Sequence, residues 1–240
     1  MDGAPCWAEL DTGDGADAET VAAFYGGVLG WSLDDGVLAD HQERVAWCGD
    51  HAIAAFGSPG AAAPPAWTLY LAVDDVDAAA EQVEELGGQV LHGPEDDRAG
   101  GRLLVALDAG GAVVGLWESD ERERPDGPGS LCWAEAASAE PGTTRTFYRE
   151  LLGWRWEEDG AGPGRLAGHG DDGPVAGLGL AGDALPHWLP VFAVADVDAA
   201  VGAAEAAGGS VVAPVDTGPR GRTATLADPA GALVGVLETG

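Results

Sequence analysis

Two carboxylates stand where an acid can do chemistry. Glu9 and Glu135 each follow a tryptophan by two residues, in Cys6-Trp7-Ala8-Glu9 and Cys132-Trp133-Ala134-Glu135. Positions two apart on a strand share a face, so indole and carboxylate project together. A desolvated carboxylate has a raised pKa; it can take a proton from a substrate as a general base, or accept a hydrogen bond from a ligand. The competing role is an ion pair with Arg102 or Arg222, because buried charges are usually paired. No Ser-His-Asp, Cys-His or glycine-rich phosphate pattern accompanies the two acids. All eleven basic residues are arginine, and the lack of lysine excludes Schiff-base and P-loop lysine mechanisms.

The elements that must position these acids occur twice. Pro5-Cys6-Trp7-Ala8-Glu9 and Leu131-Cys132-Trp133-Ala134-Glu135 each lead into a helix, which carries Phe24-Tyr25 in one copy and Phe147-Tyr148 in the other. Both helices close on Leu-Gly-Trp, at Leu29-Gly30-Trp31 and Leu152-Gly153-Trp154. The repeat continues with Asp75-Val76-Asp77-Ala78-Ala79 and Asp196-Val197-Asp198-Ala199-Ala200, then with Asp108 to Ala112 and Asp228 to Ala232. A slowly falling offset, from 126 at Trp7 and Trp133 to 120 at Asp108 and Asp228, marks duplicated domains with small loop deletions.

Within each half the pattern reads as two βαβββ units. Val21, Phe24, Tyr25 and Val28 lie at i, i+3, i+4 and i+7 of a first helix, and Gly30 ends it. A meander follows near Val37-Leu38, Arg44 to Cys48 and His51 to Phe56. A second strand–helix unit then starts at Trp67, its helix running from Asp77 to Leu86. The expected domains are 1–118 and 130–240, joined by a polar Pro/Gly-rich linker at 119–129.

The formal charge of −30 repels phosphate backbones and anionic lipid, so nucleic acid and membrane surfaces are excluded as partners. Three cysteines in 240 residues make no disulfide framework; Cys6 and Cys132 read as small buried thiols. With no signal-like or membrane-spanning run, the expected location is cytoplasmic and the expected state a monomer or homodimer.

The four βαβββ units, with Phe-Tyr and Leu-Gly-Trp on the first helix, Val-x-Asp-Val-Asp-Ala-Ala opening the second and Asp-Pro-x-Gly before the last strand, resemble the glyoxalase/bleomycin-resistance/extradiol-dioxygenase (vicinal oxygen chelate) superfamily. The resemblance implies an α+β fold of two half-barrel domains with helices outside and a ligand cavity inside. It also implies a divalent metal held from the first strand of each module and by a Glu on the last strand. Those ligand positions fall here on Trp7 and Trp133, on Thr68 and Leu189, and on Gly115 and Gly235. None of these side chains is a metal donor, so neither a metal nor any other cofactor is expected. His41, Glu43 and His51 form a displaced cluster only if three scattered residues converge, and the ordinary surface role is preferred.

In place of the metal the sequence offers apolar area. Trp7, Thr68, Tyr70, Val113 and Trp117 in the first half, and Trp133, Leu189, Val191 and Leu237 in the second, are expected to face inward around the space left at Gly115 and Gly235. Arg102 and Arg222 stand beside that ligand-binding set. The expected partner is a small hydrophobic or aromatic molecule. Two readings stay open: a metal-independent binding protein for an aromatic or antibiotic-like metabolite, or a cofactor-free isomerase, cyclase or hydro-lyase with Glu9 or Glu135 as base.

Overall fold

The computed structural model describes residues 3–13, 18–34, 44–57, 64–97, 100–118, 125–171 and 173–239. Four modules follow one another. Module 1 holds β1 (Pro5–Asp11), α1 (Ala18–Leu29), β2 (Ser32–Asp34), β3 (Arg44–Cys48) and β4 (His51–Gly57). Module 2 holds β5 (Ala66–Ala72), α2 (Val76–Glu85), β6 (Gln89–Asp96), β7 (Arg102–Leu107) and β8 (Val113–Glu118). Module 3 holds β9 (Leu131–Ser138), α3 (Pro141–Leu152), β10 (Arg155–Glu158), β11 (Leu166–Gly170) and β12 (Gly173–Leu180). Module 4 holds β13 (His187–Val194), α4 (Val197–Ala206), β14 (Ser210–Gly218), β15 (Gly221–Ala227) and β16 (Leu233–Glu238). The expected βαβββ order is met four times. The strand expected at Val37-Leu38 lies outside the described residues.

The strands form two eight-stranded mixed sheets, ordered β2-β3-β4-β1-β5-β8-β7-β6 and β10-β11-β12-β9-β13-β16-β15-β14. This is the expected α+β arrangement. The compact units nevertheless follow a different grouping from the sequence halves: one comprises Met1–Cys6, Leu69–Glu123 and Trp133–Leu189, the other Trp7–Thr68, Arg124–Cys132 and Pro190–Gly240. Modules 2 and 3 thus supply most of one unit and modules 1 and 4 most of the other, with the first strands β1, β5, β9 and β13 each divided between the two.

A repeated polar network explains why. In the unit of modules 1 and 4, Tyr25 Oη donates to Asp228 Oδ2 at 3.0 Å and accepts from Trp67 Nε1 at 3.0 Å. Trp31 stacks on the Tyr25 ring with centroids 5.7 Å apart, and its Nε1 donates to the Gly129 carbonyl at 2.8 Å. In the unit of modules 2 and 3, Tyr148 Oη donates to Asp108 Oδ2 at 2.7 Å and accepts from Trp188 Nε1 at 2.9 Å, and Trp154 stacks on Tyr148 at 5.1 Å. The Phe-Tyr, Leu-Gly-Trp and Asp-x-x-Gly motifs are therefore one device. A buried tyrosine on each first helix docks onto an aspartate turn in the module it packs against, and burial of its partners makes those hydrogen bonds costly to lose.

The glycines of the motifs have equally local causes. Gly153 closes α3 in the left-handed conformation at φ 69°, which a side chain strongly disfavours. Gly88 is excluded from carrying one by its neighbours: a Cβ there would stand 2.7 Å from the Leu107 carbonyl oxygen and 3.1 Å from Phe147. Gly209 repeats this in the other unit, with the Ala227 carbonyl oxygen at 2.6 Å. Asp75 and Asp196 cap α2 and α4 through side-chain hydrogen bonds to first-turn amides, the usual work of an N-cap aspartate. No helix among the described residues is long and apolar enough to cross a membrane.

Candidate functional site

The helix-facing side of β9 carries Ala134 and Ala136, both fully or nearly fully buried. Strand alternation sends Trp133 and Glu135 to the other face, as the sequence implies. There Trp133 Nε1 donates to Glu135 Oε1 at 2.7 Å, and Glu135 Oε2 takes Nη2 of Arg165. Arg165 immediately precedes β11 and is aimed by a tight turn. Its amide donates to the Gly162 carbonyl at 3.3 Å and its own carbonyl accepts from Asp159 N at 3.3 Å. Gly160, Gly162 and Gly164 supply the positive φ angles of that turn. Arg165 Nε also lies 3.7 Å from Asp159 Oδ2, so the guanidinium is held between two carboxylates.

The floor beneath this pair is bare backbone. Gly177 on β12 is in register with Glu135, and a Cβ on it would stand 2.6 Å from Glu135 Cδ. A Cβ on Gly179 would stand 2.7 Å from Arg165 Nη1. Two alternate glycines therefore seat the carboxylate and the guanidinium side by side. Glycine inside a strand costs roughly 0.5–1 kcal/mol each, whereas a partly exposed ion pair returns roughly 0–1 kcal/mol. The side chains of Glu135 and Arg165 remain 20% and 35% exposed, which puts them in that weak class. The ion pair by itself thus adds little to folding stability, while the Trp133 hydrogen bond holds the carboxylate in place.

Arg165, the residue that completes the constellation, is missed by sequence reasoning. It sits in a glycine-rich turn outside any periodic element, and no matching arginine stands in the first half. The alternating Gly177 and Gly179 were the available signal.

Several expectations require correction. Glu135 pairs with Arg165, not with Arg222. Arg222 binds Asp198 at 2.8 Å and Glu238 at 3.2 Å, while Arg102 binds Asp77 and Asp96. Both arginines tie a strand to the first turn of a helix. No open space remains at Gly115: it pairs in register with Tyr70, and a Cβ there would stand 2.5 Å from Tyr70 Cγ, so the tyrosine ring lies across it. Val191 covers Gly235 in the same way, with Cγ2 2.8 Å from a would-be Cβ. Tyr70 and Val191 are buried, and Val113 is exposed rather than inward-facing. Trp133 is buried too, a back wall to the pair rather than an open platform. Trp7, Glu9, Thr68, Trp117 and Leu189 are half-buried. Cys6 is half-buried; Cys132 is exposed as a residue, but its thiol donates to the Val191 carbonyl and burial pushes its pKa up to about 12.

Glu118 and Glu238 face the helices, as strand parity implies: each accepts the first amide of a helix, Val76 N at 2.9 Å and Val197 N at 3.0 Å. His41 and Glu43 lie outside the described residues. Among the described residues no group of three or more His, Cys, Asp or Glu is placed to hold a metal ion. The donor set fits no such ion: an indole already donating to Glu135, and glycines covered by Tyr70 and Val191.

A family model for a glyoxalase-like domain matches residues 11–116 and again 133–237. The chain belongs to the glyoxalase-like family. It is 37% identical over 263 residues to the anthracycline biosynthesis protein DauV of Streptomyces sp. (strain C5), covering 98% of this chain and 93% of DauV. Among solved structures, the Mn(II)-bound glyoxalase from Novosphingobium aromaticivorans superposes with a TM-score of 0.71 at 14% identity, over 98% of this chain and 81% of that one. A 2,2',3-trihydroxybiphenyl 1,2-dioxygenase from Sphingomonas wittichii strain RW1 superposes at 0.69 and 15% identity, over 100% and 91% of the two chains. At such identities the structural likeness establishes the vicinal oxygen chelate fold and nothing finer. In this glyoxalase-like chain the polar pair, Glu135 on β9 and Arg165 just before β11, lies in the module whose first strand carries Trp133.

Proposed function

We propose that this glyoxalase-like protein is a metal-independent small-molecule-binding protein of secondary metabolism, taking an aromatic or antibiotic-like metabolite. The observation that carries the reading is the Glu135–Arg165 pair seated over Gly177 and Gly179. It offers adjacent acceptor and donor groups that remain partly accessible. A guanidinium has five N–H donors, so its two carboxylate partners leave donors for a ligand carbonyl or phenolic oxygen, while Glu135 receives a ligand hydroxyl. Similarity to a protein named for anthracycline biosynthesis supports a planar polycyclic ligand.

The general-base alternative is less well supported at Glu135, because both its oxygens already take donors, from Trp133 and Arg165. A base would have to surrender one of them before taking a proton.

The test uses 1,8-dihydroxyanthraquinone, a planar probe with hydroxyls flanking a carbonyl. Tryptophan fluorescence should be quenched saturably and Tm should rise with probe concentration, the stabilisation reaching about 2.7 kcal/mol at a hundredfold excess over Kd. Chromatography of the mixture should return the probe unchanged. Conversion of the probe, or quenching without saturation, would sink the binding reading.

A further inference from the structure

The turn between β10 and β11 runs over the surface, with Glu158 and residues 160–164 exposed. Asp159 at its start departs from this: its side chain is 0% exposed. A carboxylate in a glycine-rich surface turn can stay hydrated, whereas burying it is costly unless it is paired. Its partners include the Ala161 amide, which donates to Oδ1 at 2.7 Å, and the Arg165 guanidinium, whose Nε lies 3.7 Å from Oδ2. The backbone closes the same turn, Asp159 N donating to the Arg165 carbonyl at 3.3 Å. One aspartate thus ties down both the main chain and the side chain of the arginine that reaches Glu135.

The shape of the guanidinium gives that tie its consequence. Nη2 goes to Glu135, and this contact alone would let the planar group turn about it. A second carboxylate at Nε fixes the plane, because a guanidinium carries its N–H directions in one rigid fork. Nη1, seated over the bare backbone of Gly179, is then the nitrogen left to address a ligand. We propose that Asp159 is the positioning residue of this site: it does not touch the ligand, but aims Arg165 so that Nη1 meets an acceptor oxygen while Glu135 takes the ligand's hydroxyl. The inference rests on the binding reading above and adds the group that sets its selectivity. A ligand is accepted when its oxygen lies along the N–H direction that Asp159 fixes.

Kd for 1,8-dihydroxyanthraquinone, from fluorescence titration of the full chain, and Tm are read together. Asp159→Asn keeps the shape and an acceptor for the Ala161 amide but sets a neutral group against the guanidinium. Affinity should fall about tenfold in the folded variant, within the coupling measured between residues of one network. In an Arg165→Met background, itself a weaker binder, the same substitution should change Kd no further, because Asp159 acts only through that arginine. A merely structural role would lower Tm and leave the Kd of the folded protein unchanged. That result, or an equal loss of affinity with and without Arg165, would overturn the positioning role while leaving the binding reading standing. Should Asp159→Asn not fold, Asp159→Ser, which keeps a hydroxyl acceptor for the turn amide, carries the same comparison. No binding by the wild-type chain would overturn both.

Discussion

Asp108→Ala should cost about 3–5 kcal/mol of stability and lower Tm by roughly 10 °C. Asp108 is 3% exposed and serves three buried or half-buried donors: Tyr148 Oη at 2.7 Å, Ala112 N at 2.9 Å and Gly110 N at 2.8 Å. Alanine leaves all three without their acceptor, and each orphaned donor costs about 1–3 kcal/mol. Tyr148→Phe should cost less, since the turn amides keep their partner. The pH dependence has a definite sign. Burial raises the Asp108 carboxyl above its usual range, with the Tyr148 and turn hydrogen bonds pulling it partly back. With the folded value above the unfolded one, the native state binds more protons between the two. The aspartate's contribution is thus fully present below the ordinary carboxylate range and declines as pH rises through the raised value. The stability gap between wild type and Asp108→Ala in urea unfolding should be wider near pH 4 than at pH 7. A gap that widens with rising pH would contradict the assignment.

Gly177→Ala should reduce binding of 1,8-dihydroxyanthraquinone about tenfold to a hundredfold, with a much smaller change in Tm. The substitution removes no polar group and adds one methyl. Because that methyl would stand 2.6 Å from Glu135 Cδ, the carboxylate must swing away, and its hydrogen bond with Trp133 and its ion pair with Arg165 cannot both persist. A partly exposed ion pair is worth too little to unfold the protein, but displacing its acceptor by more than an ångström removes a ligand contact. Fluorescence titration of the folded variant reads this directly. Unchanged affinity would place the site elsewhere.

What the sequence revealed, and what it hid, has a physical basis. The helix face at Val21, Phe24, Tyr25 and Val28 was legible because burial imposes a helical period, and all four are buried. The doubled motifs exposed the four modules because each tyrosine, its stacking tryptophan and its aspartate turn must recur together for the network to close. Which modules pack together was not legible. Tyr25 finds Asp228 across 203 residues and Tyr148 finds Asp108 across 40, and no local pattern distinguishes those partners. At the site, strand parity placed Trp133 and Glu135 correctly on one face. Parity says nothing about a residue in a turn, so the sequence points to the strand arginines Arg102 and Arg222 instead. The structure supplies Arg165 through three turn glycines instead. The apparent space at Gly115 misled for a related reason: a glycine marks close approach as readily as a vacancy, and Tyr70 makes that approach.

The chain should bind its ligand with protein groups alone. The most direct test is the affinity for 1,8-dihydroxyanthraquinone of chelator-treated protein, measured before and after supplying Mn²⁺, Zn²⁺ or Fe²⁺ under anaerobic conditions. The metal-free protein should bind saturably, and with the same Kd in the presence of each ion. Binding or turnover that appears only when an ion is added, and disappears again on chelation, would contradict it.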